Sequence, residues 1–312
     1  MFRGNGDGKF QPEQFLWAGS TIAISVICED LNGDGKLDLV YLPDERRPAD
    51  PAASNMLAIL LNNSPNGLSN SVLGYSAATG GSLLVRSSIA SIYGKNLAKI
   101  TASALGATLP SQLGGISLRV RDTTDTVRLA GLIFVSPTQI NFVVPGETPI
   151  GPATLTVDDG SNPLQEGANT NLITYLTLGF FTMSQNGKGV PAATAIRIRP
   201  DGNQELVPVF SCTITGQCSA VPIDFTGGLP VYLSLYGTGF GLELAKKPSL
   251  EALRCQVGGK DATVQFAGPH PLYPGLDQLN ILIPQSLPSG QAIVQCRYFT
   301  ATQSNVVSIA IK

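Results

Sequence analysis

The chain has 312 residues, 43% of which are hydrophobic, and its formal net charge is −2. This length suggests two domains or three small ones, and the hydrophobic content excludes an intrinsically disordered chain. Charged residues make up 13% of the chain, against about 25% in an average soluble protein. Because the Lys and Arg residues are also dispersed, neither a nucleic acid nor an anionic membrane surface is expected as a partner.

No apolar run approaches the roughly 18 residues of a membrane-spanning helix, so no membrane span is expected. The first ten residues, MFRGNGDGKF, lack the basic and apolar regions of a signal peptide. The 34 Gly and 22 Pro residues are scattered without a fixed period. This excludes collagen and long helical bundles and favours many short strands joined by turns, and we therefore expect an all-β protein.

Residues 1–76 form one compositional block. Runs rich in Ile, Val and Leu predict buried strands at 21–28, 36–42 and 56–62, separated by turn-forming segments. The stretch 69–82, SNSVLGYSAATGGS, is predicted to be a link. Three or four short strands bury too little apolar surface to stand alone. The block could pack against the following module of the same chain, against a second copy of the chain or against upstream strands of a longer protein. We expect the second copy, as a homo-oligomer, or the upstream strands.

The segment between the first two of these strands, DLNGDGKLD, has the spacing of a calcium loop. Side-chain oxygens fall at loop positions 1, 3, 5 and 9, position 7 can offer its backbone carbonyl, and Gly35 at position 6 permits the sharp turn. The predicted metal ligands are Asp30, Asn32, Asp34, Lys36 and Asp38. Such oxygen ligands suit Ca²⁺, and no His or Cys lies at zinc-ligand spacing. The alternative is a plain Asx-Gly turn.

From about residue 83 the pattern changes to longer strands in which apolar and polar residues alternate, as in antiparallel sandwiches. An internal repeat runs through this part, with copies offset by 139 to 144 residues. The matching segments are 92–98 with 235–241, 113–120 with 257–264, and 139–145 with 278–284. We expect two copies of one β-sandwich module, the first over 83–178 and the second over 229–312, joined by a bridging segment at 179–228.

Each copy contains a Gln-x-Asn-x-x-x-Pro unit, in which Gln and Asn point to one face of a strand and apolar residues to the other. Proline then ends the strand, because it cannot donate a ladder hydrogen bond. The amides of Gln139, Asn141, Gln278 and Asn280 are expected to hydrogen-bond neighbouring loop backbone; the alternative is that they bind a ligand.

These residues resemble known families. Residues 83–312 are similar to the Solibacter-type uncharacterised C-terminal domain of large secreted acidobacterial proteins, which is related to Ig-like IPT/TIG folds. The matching motifs are LVRSSIASIYGKNLA, LGGISLRV, FVSPTQINFVVP, NGKGVPAATA, LSLYGTGFG and LDQLNILIP. The block 1–76 resembles an FG-GAP/VCBS repeat through GNGDGKF, DLNGDGKLDLVY and LAILLNN. The resemblance implies a partial β-propeller blade followed by two Ig-like antiparallel β-sandwiches, with no assigned enzymatic activity.

The five cysteines suggest two disulfides and one free thiol. Cys212 and Cys218 flank a turn-like five-residue segment, and Cys255 and Cys296 lie in two strands of the second module, where a bridge is feasible if these strands are neighbours. Cys28 is left over in an apolar strand and is expected to be a buried thiol. Two disulfides would place the protein in an oxidising, extracellular compartment or at the cell surface.

Signals of catalysis are weak. His270 is the single histidine and lies in Gly-Pro-His-Pro, and the chain contains no Gly-x-Ser-x-Gly motif. The leading hypothesis is a non-catalytic extracellular scaffold, adhesion or surface-display module with a structural calcium site, whose partners are other protein chains or surface glycans. The alternatives are a secreted hydrolase, which a cleft with two facing carboxylates would favour, and a glycan-binding appendage, which exposed aromatics in a row would favour.

Overall fold

A computed structural model of the chain describes residues 23–29, 38–43, 58–60, 71–160, 170–244, 249–299 and 302–312. Within these ranges the chain forms 26 β-strands, one four-residue α-helix, α1 (Gly241–Leu244), and one 3-10 helical turn (Ser249–Ala252). The predicted all-β fold class is therefore confirmed. No helix among these residues has the length and apolar character needed to span a membrane.

The first sheet is antiparallel and has the order β1-β2-β3. Its strands, β1 (Ala23–Glu29), β2 (Asp38–Pro43) and β3 (Ala58–Leu60), coincide with the three predicted apolar runs. Glu29 pairs with Asp38 across the β1–β2 ladder. The assignment of this sheet to a propeller blade stays a prediction.

A first β-sandwich follows. Its strands are β4 (Ser71–Val72), β5 (Gly74–Ser76), β6 (Leu83–Val85), β7 (Ile89–Tyr93), β8 (Ala102–Ser103), β9 (Ser117–Asp122), β10 (Val127–Leu129), β11 (Gly131–Val135), β12 (Gln139–Val143), β13 (Gly151–Asp158) and β14 (Thr170–Thr174). One sheet has the order β10-β9-β13-β14-β6, with β4 also paired to β13, and the other has the order β5-β7-β12-β11-β8. The pairing of β14 with β6 is parallel, unlike the other pairings of the two sheets.

The core of this sandwich lies between the two sheets, and every second side chain along a strand points into it. On β12, Ile140 and Phe142 are fully buried, whereas the alternate residues are half-buried. Residues of both sheets contribute to the core cluster, for example Leu118 and Leu155 from one sheet and Ile92 from the other.

The predicted link at 69–82 is wrong in part, because residues 71–76 belong to the first sandwich. β4 pairs with β13, and β5 pairs with β7. The buried Asn171 side chain holds this segment in place: its Oδ1 accepts from Gly74 N at 2.9 Å, and its Nδ2 donates to Gly74 O at 2.7 Å and to Ser82 O at 3.1 Å. The first sandwich therefore begins near residue 71 and not at 83.

The second sandwich is built around one continuous sheet. Its strands are β15 (Gly179–Phe180), β16 (Ala193–Ile198), β17 (Gln204–Val207), β20 (Val231–Thr238), β21 (Leu253–Val257), β22 (Lys260–Pro269), β23 (Asp277–Leu282), β24 (Gly290–Tyr298), β25 (Thr302–Gln303) and β26 (Val307–Ile311). Their order is β17-β16-β20-β23-β22-β21-β24-β25, with β15 also on β20 and β26 also on β24. The long strand β22 joins the halves, because 260–262 pair with β21 and 263–269 pair with β23.

The predicted bridging segment at 179–228 is also corrected. β15 and β16 pair with β20, and β17 pairs with β16, so the segment completes the sheet of the second sandwich. The segment contributes Phe180, Ala195 and Ile223 to the core of that sandwich, and each of them is fully buried. Without β16, the long strand β20 would have one edge largely unpaired.

Both predicted disulfides are present. Cys255 and Cys296 oppose each other in β21 and β24, their Cα atoms are 4.1 Å apart, and both residues are buried. Cys212 and Cys218 oppose each other, with Cα atoms 4.0 Å apart, in a separate hairpin formed by β18 (Phe210–Cys212) and β19 (Cys218–Ala220). Cys28 lies in β1.

Candidate functional site

The outer face of the second sandwich carries a row of amide and aromatic side chains. Alternate residues of β23 are buried, and between them Gln278 and Asn280 are half-buried on the opposite face. On β20, Tyr236 pairs with Gln278 and Ser234 pairs with Asn280. Asn280 also pairs with Phe266 of β22, which is 41% exposed. These five residues are referred to below as the second patch.

The amides of the second patch hydrogen-bond to each other. Gln278 Nε2 donates to Asn280 Oδ1 at 2.8 Å, because residues i and i+2 of a strand share a face. Asn280 Nδ2 has no acceptor among the described residues. The prediction that these amides bond loop backbone is therefore wrong for this pair, and Asn280 keeps a hydrogen-bond donor that faces solvent.

Three rings follow one another on this face: Tyr236 of the second patch, then His270 and Tyr273, and the first two of them are half-buried. The ring centroids of Tyr236 and His270 are 6.0 Å apart, and those of His270 and Tyr273 are 5.0 Å apart. Tyr273 is 60% exposed. Both the backbone and the ring of His270 are held by hydrogen bonds. Its backbone N–H donates to Leu276 O at 2.8 Å, and its ring Nδ1 accepts from Leu272 N at 3.2 Å. Because Nδ1 accepts this bond, Nε2 is the ring nitrogen that can donate to a ligand.

The first sandwich has the same five residue types in the same register, here referred to as the first patch. On β7 and β12, Tyr93 pairs with Gln139 and Ser91 pairs with Asn141. Asn141 also pairs with Phe134 of β11. The strands that carry the two phenylalanines share one further feature, a register irregularity directly before Phe134 and before Phe266. The repeat predicted from sequence therefore extends to the outward-facing side chains.

The hydrogen bond between the Gln and Asn side chains of the second patch recurs in the first patch, which has one further bond from serine. Gln139 Nε2 donates to Asn141 Oδ1 at 2.8 Å, and Ser91 Oγ donates to the same oxygen at 2.9 Å. Asn141 Nδ2 has no acceptor within the described part of the chain. Sequence reasoning found the amides but missed the aromatic side chains beside them, although the Tyr-Gly pairs of the repeat already contained Tyr93 and Tyr236.

The two sandwiches meet at the start of β7 and the end of β20. Ile89 N donates to Thr238 Oγ1 at 2.8 Å, and this hydroxyl donates to Gly275 O at 2.7 Å. Gly275 has a φ of +78°, and a Cβ atom at this position would lie 2.7 Å from Ile89 Cγ1 and 2.8 Å from Val143 Cγ2. Only glycine allows the 270–276 loop to approach the first sandwich this closely.

A cleft of about 290 Å³ lies beside this contact. Among the described residues that line it, Asp277 is the one carboxylate, and Arg86 and Tyr175 are also part of the lining. Asp277 is 5% exposed, and its Oδ2 accepts from the backbone N–H groups of Phe240 and Gly241 at 2.9 Å each. Burial raises the pKa of Asp277 to about 6, and the two N–H donors offset part of this rise.

The predicted calcium ligands Asp30, Asn32, Asp34 and Lys36 lie outside the described residues. Asp38 is the first residue of β2, and its backbone pairs with Glu29. The predicted loop thus starts directly after β1 and ends at the start of β2. The part of the chain that the structure describes contains no group of three or more His, Cys, Asp or Glu side chains that could hold a metal ion.

No family model matches the chain, and no curated protein matches it. Among solved structures, the chain is similar to the SGBP-B protein of the Bacteroides ovatus mixed-linkage glucan utilization locus, in complex with a mixed-linkage heptasaccharide, with a TM-score of 0.34 and 9% identity. This similarity covers 88% of the chain and 52% of that protein. The chain therefore spans about half the length of that protein.

Two further solved structures have lower scores. The full extracellular region of plexin A4 has a TM-score of 0.20 and 10% identity, covering 87% of this chain and 34% of its own. The I9–I11 tandem of titin has a TM-score of 0.15 and 9% identity, covering 72% of this chain and 94% of its own. None of these TM-scores is high enough to establish a shared fold, and the two family resemblances stay predictions.

Proposed function

We propose that the chain is a non-catalytic extracellular scaffold and adhesion module that holds a neutral glycan on the outer face of its second sandwich. The supporting observation is the row of the half-buried rings of Tyr236 and His270 and the exposed ring of Tyr273, next to the free amide donor of Asn280. Exposed aromatics in a row are the feature that distinguishes a glycan-binding appendage from a bare scaffold.

The chemistry of this face matches a sugar ring. One side of a pyranose presents C–H groups that pack against an aromatic ring, and its hydroxyls both donate and accept hydrogen bonds. Asn280 Nδ2 and His270 Nε2 can donate hydrogen bonds to such hydroxyls. The outward-facing side chains of β20 and β23, from Tyr232 to Tyr236 and from Gln278 to Leu282, carry no charge. A neutral glycan is therefore favoured over an acidic one.

The hydrolase alternative gains no comparable support. A glycosidase needs two carboxyl groups that face each other across a cleft. In the cleft between the sandwiches Asp277 is the one carboxylate among the described lining residues, and Oδ2 of this side chain is engaged by two backbone N–H groups. The absence of catalysis stays part of the proposal.

The proposed location is extracellular or at the cell surface. Disulfides form and persist in oxidising compartments, and the chain contains one buried disulfide and one at the surface. The calcium site of the 30–38 loop belongs to the same proposal, with a structural role. Association of the block 1–76 with upstream propeller blades or with a second copy of the chain is also part of this proposal.

Titration calorimetry with soluble polysaccharides tests the glycan proposal. The panel is hydroxyethylcellulose, dextran and galactomannan, with alginate as the acidic comparison. We expect at least one neutral polymer to bind and alginate not to bind. Tyr273→Ala should weaken this binding about tenfold or more, as removal of a central aromatic contact does.

Phe299→Ala is the matched control, because Phe299 is 64% exposed, close to the 60% of Tyr273, and directly follows β24, a strand that carries no residue of either patch. This variant should bind like the native chain. Absence of binding to the whole panel, or an equal loss in both aromatic variants, would refute the proposal.

A further inference from the structure

The two patches lie end to end along the molecule. β20 runs from Tyr232 through Tyr236 to Thr238, and the Thr238 hydroxyl accepts from the backbone N–H of Ile89, the first residue of β7. β7 then continues from Ile89 to Tyr93. The outward-facing rows of the second sandwich are thus followed by those of the first.

Both patches also face the same side of the molecule. Ile89 and Val143 pair across β7 and β12 and are half-buried, like Asn141, on the outer face of the first sandwich. Their side chains contact Gly275, to whose carbonyl Thr238 donates a hydrogen bond. The 270–276 loop therefore lies on the outer faces of both sandwiches at once, and its rings His270 and Tyr273 stand between the two patches.

The two patches and the 270–276 loop between them form one strip, and strand geometry sets the distance between its two patches. At a rise of about 3.3 Å per residue, the Asn280 row and the Asn141 row are ~25 Å apart along the strip. Both ends present a tyrosine, an unpaired Asn Nδ2 and a phenylalanine, and the tyrosine is exposed in the first patch and half-buried in the second. The side chains between them, Ile89, Val143 and Thr238, are uncharged.

We infer that the first patch is a second glycan site and that one neutral, linear polysaccharide chain binds along the strip, contacting both patches. This inference rests on the proposed function of the second patch. A second site on the same chain does not add a new kind of contact. It makes the second contact intramolecular, which raises the affinity for a long ligand by a factor of about 10² or more but does nothing for a short one.

The experiment compares long and short ligands of the same chemistry. The probes are hydroxyethylcellulose with cellobiose, dextran with isomaltose, and galactomannan with mannobiose. For the polymer that binds, we expect the native chain to bind two disaccharides but to bind the polymer far more tightly. Tyr93→Ala and Asn141→Ala should each lower the disaccharide stoichiometry from two to one and weaken polymer binding by about tenfold or more.

Tyr93 is 60% exposed, so Tyr93→Ala removes little packing and keeps the test valid if Asn141→Ala fails to fold. Polymer binding that is lost in Tyr273→Ala but unchanged in Tyr93→Ala would overturn the inference and leave the proposed function intact. A native chain that binds none of the probes would overturn both. Weakened polymer binding in Tyr93→Ala, with one disaccharide bound, would support both.

Discussion

Replacement of Asp277 by asparagine tests the electrostatics of the cleft between the sandwiches. The carboxyl group is buried, and burial raises its pKa from 3.8 to about 6. This difference of about 2 pH units corresponds to about 3 kcal/mol of unfolding free energy. Because the pKa of Asp277 is higher in the folded than in the unfolded state, its favourable contribution is complete below about pH 4 and is lost as the pH rises to about 6.

The amide side chain in Asp277→Asn would keep an oxygen that accepts from the N–H groups of Phe240 and Gly241 but would carry no charge at any pH. We therefore expect the native chain to lose up to about 3 kcal/mol of unfolding free energy, relative to Asp277→Asn, between about pH 4 and pH 7. Above pH 7 the variant should be at least as stable as the native chain.

Urea unfolding of both proteins at intervals across this pH range measures the difference directly, because the contributions of all other titrating groups cancel. Asp261→Asn controls for the loss of one negative charge, since Asp261 lies exposed on β22. A difference between native chain and Asp277→Asn that stays constant from pH 4 to pH 7 would refute the reasoning, because it would mean that burial does not raise this pKa.

Other consequences of the structure are equally open to measurement. Asn171→Leu should cost about 2–4 kcal/mol of stability, because it leaves the backbone groups of residues 74 and 82 unpaired. A chain that starts at residue 70 should melt like the full chain, whereas a chain that starts at residue 83 should melt at a lower temperature. Equal melting midpoints for Asn171→Leu and the native chain would contradict the role of Asn171. Alkylation of the unfolded, unreduced chain should label Cys28 alone, and labelling of all five cysteines would contradict the extracellular proposal. Calcium at tenfold excess over its Kd should add about 1.4 kcal/mol of stability, and Asp34→Ala should remove this gain; identical midpoints with calcium and with chelator would exclude the site.

Much of the architecture follows from local patterns that the sequence displays directly. Alternation of apolar and polar residues predicts strands such as β12 and β23, and the two copies of Gln-x-Asn-x-x-x-Pro predict that both sandwiches carry the same amides on one face. These features depend on residues that are close in sequence or related by the repeat.

Tertiary structure alone decided which edges are paired and which side chains meet across the sandwiches. Residues 71–76 and 193–207 look like link and bridge in sequence, because short polar-rich strands have weak patterns, yet each completes a sheet whose long strands β7 and β20 would otherwise keep an unpaired edge. The pKa of Asp277 depends on burial by segments far along the chain. The close approach of the 270–276 loop to the first sandwich likewise depends on Gly275 and its neighbours Ile89 and Val143, and no periodicity within one strand contains that information.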